Sequence, residues 1–373
     1  MIVAATFVDV VAYSIAVPVL PDLGRKLGAS PTMIGFLFAS FGVTLFCVSI
    51  PMGAVSDRLG RRKPLLAGLA GLAAASVLLA VANSLPLLFI ARLAQGAADA
   101  VTWVVGFALL ADLYEQSERG RASGIVMAGS GFAFMIGPSI GGWLYEIGGV
   151  RLPFLIVAAM AMAAALALLW LDLPTYEANH EPVPILAVVR VPAVAACAAA
   201  VATVAATLSM LEPVVSLQLQ MLSVNPGRIG LVFGAAAAVS ASVHPLYGRL
   251  ADRWGARRLT LWGLGLSACG LPIVSRAWNF ESALVLYVIQ APLLAMAITP
   301  SLAYMAEAAS SAGLCSFGVG YGLYNVAWSV GLLGGPALGG FLFERMGFAH
   351  LALWWAPVVI FIAVLLRRTK PGT

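Results

Sequence analysis

Charged residues are scarce in this sequence. Asp, Glu, Lys and Arg make up 10% of its 373 residues, whereas hydrophobic residues make up 61%. A soluble domain of ordinary composition carries about 25% charged residues, so this chain has too few to cover a water-exposed surface. Each membrane crossing needs about 20 apolar residues, and the chain therefore has room for about twelve crossings and no separate soluble domain.

Cysteine and histidine are also rare. The four cysteines fall in separate apolar stretches with no C-x-x-C pattern, and there are only three histidines. We therefore interpret the cysteines as small packing residues and expect no metal site, no cofactor and no disulfide framework. The sequence also lacks a nucleophile–base pair and a phosphate-binding loop, so we do not expect an enzyme.

The start of the chain has no features of a secretory leader. Met1 runs directly into an apolar helix, without a basic segment or a small-residue cleavage pattern. We therefore expect this helix to stay in the mature protein, with no removable signal peptide. Few residues precede Asp9, so the helix is expected to be clipped at its start.

The apolar runs, broken at charged and Pro/Gly clusters, predict an all-α membrane protein with twelve helices in two pseudo-symmetric six-helix halves. The one longer connection is rich in proline and glutamate. The predicted division is a first half at residues 1–172, a cytoplasmic linker at 173–190 and a second half at 191–373. The predicted helices are 2–21, 32–54, 65–82, 86–110, 122–145, 151–172, 191–222, 228–249, 259–276, 281–306, 313–342 and 350–367.

The distribution of basic residues predicts the orientation. Placing both termini in the cytoplasm puts fourteen of the 21 Lys and Arg residues on the cytoplasmic side, where such residues are retained. This bias, together with anionic lipid, accounts for the net charge of +5, so the expected partner is the bilayer and no nucleic acid is needed.

Two motifs recur in the second half of the chain. The segment 53–63 recurs at 248–258 with the same glycines, Asp-Arg pair and basic pair, and the segment 137–146 recurs at 335–344 with the same Gly-Pro and Gly-Gly pairs. The offset between the copies is about 195 to 198 positions. Two homologous halves are implied, an arrangement in which substrate binds near the midplane of the membrane.

These motifs resemble those of the major facilitator superfamily, and among its members the twelve-helix drug:proton antiporters. The segment 53–63 resembles the signature between helices 2 and 3, Arg92-Leu-Ala-Gln95-Gly96 resembles the helix 4 motif, and 129–142 resembles the antiporter motif of helix 5. The resemblance covers essentially the whole chain. It implies a monomeric transporter without a cofactor and with H⁺ as the coupling ion.

The drug:proton antiporters that the chain resembles include bacterial multidrug efflux pumps, and a narrower resemblance is to the vesicular monoamine transporters. It is visible around Asp9, at Met210-Leu-Glu-Pro213 and at Tyr321-Gly-Leu-Tyr-Asn325. The sequence departs from the monoamine transporters where their helix 11 acid is replaced by Asn325. Asp99 has no counterpart in their pattern, and we expect it to replace one of the missing acids.

Four charged side chains fall inside predicted membrane helices: Asp9, Arg92, Asp99 and Glu212. Each would cost about 2.5 to 3.5 kcal/mol at the membrane centre, so each is expected to be paired, protonated or hydrated. Glu212 precedes Pro213, which frees a backbone carbonyl, and we expect it to carry a proton. The alternative is a permanently protonated structural acid.

Asp9 is the second candidate for binding a proton or a cation. Tyr13 lies four residues on, on the same helical face, so the carboxylate has an aromatic neighbour that suits an organic cation. The alternative is a carboxylate exposed near a clipped helix start.

Arg92, Gln95 and Asp99 share one face of helix 4, which Trp103 continues. In the family, the arginine of this motif is associated with proton transfer. The alternative is an internal ion pair that locks the helix, and the two roles can coexist.

A comparable stripe on helix 11 consists of Tyr321, Asn325 and Trp328. It is expected to supply aromatic stacking and a neutral hydrogen bond to the substrate; the alternative is ordinary helix packing. His244 could titrate, but a packing role is favoured for a single histidine beside a proline.

The repeated glycine motifs are expected to permit close helix packing and conformational change. The two Asp-Arg loops are expected to form charge-linked latches at the cytoplasmic edge. The residues assigned to these mechanical roles are Gly53, Asp57, Arg58, Gly60, Arg62, Gly137, Pro138, Gly141, Gly142, Asp252, Arg253, Gly335, Pro336 and Gly339.

The predicted function is secondary active transport by alternating access, in the form of a proton-coupled antiporter that exports lipophilic or aromatic organic cations, drug-like or monoamine-like. The predicted location is the bacterial inner membrane. Two alternatives stay open: a proton-coupled importer or uniporter of another small metabolite, and a membrane module that does not transport.

Overall fold

The computed structural model describes residues 1–115, 118–171, 191–311 and 317–368, and within these ranges the chain is helical with short turns. The predicted linker 173–190 lies outside the described residues. The backbone of Tyr321 belongs to a described helix, but its side chain lies outside the described part of the structure.

Twelve helices are found in the described ranges, where we see no strand. The last two are continuous except at Gly347, whose φ of 73° breaks the helical path. The helices are α1 Ile2–Lys26, α2 Pro31–Leu59, α3 Arg62–Ala80, α4 Leu85–Leu113, α5 Arg119–Gly148, α6 Arg151–Leu169, α7 Pro192–Met221, α8 Pro226–Trp254, α9 Ala256–Val274, α10 Phe280–Ser311, α11 317–346 and α12 348–368.

By length and composition, ten helical segments of the described chain can cross a membrane, with α11 and α12 together forming the last segment. Large apolar side chains also lie exposed on these helices, including Trp143, Trp354 and Phe361. Such surface is stable in lipid and unfavourable in water. The prediction of an all-α membrane protein is confirmed.

Local sequence explains where the paired helices begin and end. Ser30 caps α2 by accepting a hydrogen bond from the Met33 amide, and Pro31 occupies the first turn, where a missing N–H is tolerated. Gly60 ends α2 with φ of 75°, and Gly255 follows α8 with φ of 89°. Both conformations favour glycine, so the repeated glycine has the same backbone role in the two copies.

The chain packs as two compact units. The first contains the described residues of 1–180 together with Ser223–Gly234, which are the first turns of α8 and the turn before it; the second contains the described residues of 181–222 and 235–373. In the first unit, α1 packs on α5, and α4 packs on α2 and α3. In the second, α7 packs on the segment that holds α11 and α12, and α9 packs on α10.

Candidate functional site

In the first unit, α1 carries a carboxyl group deep in the protein. Asp9 lies about 10 Å along the helix from its first residue and is 1% exposed. Its Oδ2 accepts a hydrogen bond of 2.9 Å from the indole Nε1 of Trp103 on α4. Its Oδ1 is also buried, and no hydrogen-bond donor reaches it among the described residues. The alternative of a carboxylate exposed at the helix start is therefore wrong.

Asp99 brings a second carboxyl group to the same place. It lies one turn before Trp103 on α4 and is 8% exposed. Its side chain is within hydrogen-bonding reach of both Asp9 and Trp103. Two carboxyl groups can hydrogen-bond to each other only if one of them holds a proton, because an ionised carboxylate has no donor. The pair is thus arranged to hold a proton between α1 and α4.

Arg92 lies in the same helix face, fully buried and surrounded by aromatic rings. Its guanidinium carbon is 4.8 Å from the ring centroid of Phe41, 5.4 Å from that of Phe38 and 5.6 Å from that of Tyr13. Its Nη1 donates a hydrogen bond of 2.6 Å to Oε1 of Gln95, which is also buried. Cation–π attraction and this hydrogen bond help to stabilise the buried positive charge.

Tyr13, the tyrosine predicted beside Asp9, therefore has its ring next to the guanidinium group of Arg92. Tyr13 also packs against two phenylalanines, with its ring centroid 5.0 Å from that of Phe41 and 6.4 Å from that of Phe134. Trp103 stacks on Phe107, with centroids 5.7 Å apart and planes 9° apart. The carboxyl pair and the guanidinium are thus bordered by rings from α1, α2, α4 and α5.

In the second unit, Glu212 is a buried acid on α7. It is 2% exposed and lies about 14 Å before the end of α7, next to the internal Pro213. Tyr287 of α10, itself 6% exposed, lies close enough to interact electrostatically with this carboxyl group. Sequence reasoning did not identify Tyr287, although it lies about 195 positions after Arg92, at the equivalent place in the repeat.

The other candidates of the second unit pack against protein. Trp328 stacks on Tyr324, with centroids 5.7 Å apart, and borders two hydrophobic clusters, while Asn325 is half-buried beside them on α11. His244 lies 2.6 Å from Thr299, from Nδ1 to Oγ1. Since that hydroxyl donates to the carbonyl of Ala295, Nδ1 of His244 must be the donor. This satisfied contact agrees with the packing role favoured for the histidine.

The repeated glycines of α5 and α11 lie against the first helix of their own half. On Gly141 a Cβ atom would come 2.8 Å from the backbone Cα of Ile15, and on Gly339 it would come 2.5 Å from Cγ of Met210. Gly137 and Gly335 have equivalent contacts with Ser14 and Ser209. The two copies of the motif therefore make the same helix pairings, α1 with α5 and α7 with α11.

Further along α5, the motif packs against the first turns of α8, which belong to the same unit. A Cβ atom on Gly142 would clash with the carbonyl of Pro226, and Gly230 lies against the carbonyl of Pro138. The amide of Gly227 donates a hydrogen bond of 2.8 Å to Oε1 of Glu146. Pro336, the counterpart of Pro138, is buried within α11.

The Asp-Arg loop of the first unit contains an ion-pair network that the sequence did not predict. Arg61 lies 2.6 Å from Asp57 and 2.7 Å from Asp112 at the end of α4, and it also donates to Ser56. Burial alone would lower the pKa of Arg61, but its hydrogen bonds to Asp112 and Asp57 outweigh that effect and raise it. The guanidinium therefore stays charged at every physiological pH.

Arg61 is the partner of Asp57, whereas the predicted Arg58 is exposed. The basic pair contributes differently again, because Arg62 donates to the Leu169 carbonyl of α6. In the second copy of the motif, both residues of the Asp-Arg pair, Asp252 and Arg253, are exposed. In the first copy, Gly53 is half-buried, and a Cβ atom added to it would meet no heavy atom within 4 Å.

The internal repeat explains in part why the sequence motifs did not identify Arg61 and Asp112 as an ion pair. Position 61 corresponds to Ala256, so the arginine is not part of the shared pattern. Asp112, however, lies about 195 positions before Glu307, and an acid at the end of both α4 and α10 was a signal that could have been found. Glu307 and Arg257 both interact with Tyr304.

The family follows from comparison with known proteins. A model of the Major Facilitator Superfamily matches residues 2–223 and, a second time, residues 194–373. This chain belongs to the major facilitator superfamily. The double match also agrees with the internal repeat, since one family model fits both halves. The chain is an integral membrane protein of a family of transporters.

Among curated relatives, the chain is similar to the probable vesicular acetylcholine transporter-B of Danio rerio, with 27% identity over 100% of this chain and 78% of that protein. It is similar to the MFS-type transporter SLC18B1 of Homo sapiens, with 27% identity over 92% of this chain and 79% of the relative. It is 30% identical to the vesicular acetylcholine transporter of Rattus norvegicus, over 90% of this chain and 67% of the relative.

Solved structures of the family share the fold. A bacterial homologue of the human lysosomal transporter Spinster, in an inward-facing and occupied conformation, matches with a TM-score of 0.83 and 16% identity over 99% of this chain and 96% of that chain. The human organic anion transporter MFSD10 matches with a TM-score of 0.72 and 19% identity over 98% and 97%. These likenesses show the shared fold, whereas the substrate depends on the residues of the site.

Proposed function

We propose that this protein is a proton-coupled antiporter that exports lipophilic or aromatic organic cations by alternating access. The observation that carries the proposal is the Asp9 carboxyl group, which is 1% exposed and has one oxygen without a donor among the described residues. An ionised carboxylate in such a place is strongly destabilised, so it needs either a proton or a cation. Competition between the two for one oxygen would make the exchange obligatory.

The surroundings of Asp9 favour an organic cation over a metal ion. The neighbouring groups are the Asp99 carboxyl group and the Trp103 indole, which donates to Asp9 and stacks on Phe107, so aromatic rings offer cation–π attraction and apolar contact. Among the described residues, no third acidic, His or Cys side chain joins the two carboxyl groups as a metal site would require. The vesicular acetylcholine transporters among the relatives are named for acetylcholine, an organic cation. Glu212 is a second buried carboxyl group and a second candidate for carrying a proton.

A ligand shifts a conformational equilibrium only by its differential affinity for the two states. Protonation of Asp9 or Glu212 would supply that difference, since a neutral and a charged carboxyl group have very different costs of burial. One pH unit across the membrane is worth about 1.4 kcal/mol per proton. The setting we infer is a bacterial inner membrane with both termini in the cytoplasm, and a monomer as the transporting unit.

The test uses proteoliposomes that contain a trapped pH dye and are acidic inside. A panel of amines, dye cations and uncharged antibiotics is added to vesicles with the unmodified protein, Asp9→Asn or Glu212→Gln. We expect particular cations to trigger proton efflux, and either substitution to abolish it. The matched control is Glu281→Gln, which neutralises an exposed acid in the first turn of α10 and should leave efflux unchanged.

Substrate entry without proton efflux would refute antiport and favour a uniporter. Substrate and proton movement in the same direction would favour a proton-coupled importer. Efflux that persists in both variants would exclude these two acids as the coupling groups.

A further inference from the structure

Three ionisable groups are buried in one region of the first unit: Asp9, Asp99 and Arg92 are 1%, 8% and 0% exposed. Asp99 lies within reach of the carboxyl group of Asp9 on one side and interacts electrostatically with Arg92 on the other. Arg92 and Asp99 are seven positions apart on α4 and thus on the same helix face. Asp99 is therefore the group between Asp9 and Arg92.

The charges of these groups do not cancel unless one proton is bound. Two ionised carboxylates and one guanidinium leave a net charge of −1, whereas one proton on the carboxyl pair makes the cluster neutral. A neutral cluster is the form that a low-dielectric interior favours. The oxygen of Asp9 that has no donor is where such a proton, or a cation in its place, would find an acceptor.

We propose that Asp99 is the counter-ion of Arg92, and that it thereby leaves Asp9 free to exchange one proton for one monovalent organic cation. Without Asp99, the positive charge of Arg92 would be balanced by Asp9 itself. Asp9 would then remain ionised, and a bound cation would leave the cluster with a net charge of +1. Asp99 is thus a positioning residue for exchange, acting through Arg92. This inference rests on the proposed antiport function.

The test is a charge-balance series in the proteoliposome assay, with proton efflux measured as a function of pH. Asp99→Asn should shift the pH profile of exchange toward acid by about 1 to 3 units, the range by which a neighbouring charge shifts a carboxyl group. The double variant Asp99→Asn with Arg92→Gln removes the unbalanced positive charge as well. It should restore exchange near the original pH, which a purely structural role of Asp99 would not predict.

Two further variants make the result specific. Arg92→Gln alone leaves two carboxyl groups without a positive partner, so its profile should shift toward alkaline pH. The control pairs Asp99→Asn with Arg121→Gln, which removes an exposed positive charge from α5 and should not rescue exchange. Size-exclusion elution of every variant in detergent identifies variants that do not fold.

The inference is overturned if Asp99→Asn keeps the original profile, or if Arg121→Gln rescues as well as Arg92→Gln. If the double variant does not fold, an Arg92→Gln profile that does not move toward alkaline pH overturns it instead. The proposed function fails in a different way, because cations would then trigger no proton efflux from vesicles with the unmodified protein.

Discussion

Close packing of α5 on α1 can be tested by adding a single methyl group. In Gly141→Ala the new Cβ atom would lie 2.8 Å from the backbone Cα of Ile15, which cannot move without shifting α1. In the equivalent variant Gly339→Ala, the closest atom, at 2.5 Å, belongs to the flexible side chain of Met210. The repeat therefore supplies two glycine-to-alanine substitutions, one with its new methyl group against a helix backbone and the other with its methyl group against a flexible side chain.

The expected magnitudes follow from two opposing effects. Replacing glycine by alanine within a helix stabilises it by about 1 kcal/mol. Overpacking against an unyielding neighbour costs about 1 to 3 kcal/mol. Matched controls come from the same helices, because a Cβ atom on Gly131 of α5 or Gly334 of α11 would meet nothing within 4 Å. We expect Gly141→Ala to be about 1 to 3 kcal/mol less stable than Gly131→Ala.

Thermal unfolding in one detergent, at one scan rate, measures these differences. A unit the size of either half shifts its melting temperature by about 2 to 4 °C per kcal/mol. Gly339→Ala should melt close to Gly334→Ala, because Met210 can adopt another rotamer. If Gly141→Ala melts together with Gly131→Ala, then α1 yields to the methyl group, and the rigid α1–α5 contact inferred here is wrong.

Other predictions concern the ends of the helices and the histidine. Arg61→Gln should lower both melting temperature and transport, because two aspartates then lose their shared cation, whereas Arg58→Gln at the exposed neighbour should have little effect; equal losses would contradict the network. Glu146→Gln keeps an acceptor for the Gly227 amide, but Glu146→Leu should cost about 1 kcal/mol in thermal stability. His244→Asn should leave the pH profile of proton efflux unchanged, since His244 contacts Thr299 as a packing residue; a shifted profile would make it a proton carrier.

Much of the fold could be predicted from local sequence. Composition separates a membrane protein from a soluble one, and helix lengths follow from apolar runs that end at charged, proline and glycine residues. The observed ends of α2 and α8 differ from the predicted ends, at 54 and 249, because both helices continue beyond the apolar segments, through their basic ends, as far as Leu59 and Trp254. In the repeat, Gly60 and Gly255 have the same backbone role, since both have positive φ.

The sequence alone placed Asp9 and Asp99 in separate apolar helices, where a charge must be paired, protonated or hydrated, but it left open whether Asp9 is exposed at the helix start. Only the tertiary structure decided that Asp9 meets Asp99 and Trp103, which lie 90 and 94 positions further along the chain. In the same way, Arg61 donates a hydrogen bond to Asp112, which lies 51 positions further along the chain. Periodicity assigns a residue to a helix face, but the rotation and spacing of packed helices depend on contacts such as Gly141 against Ile15, which exist only once the chain has folded.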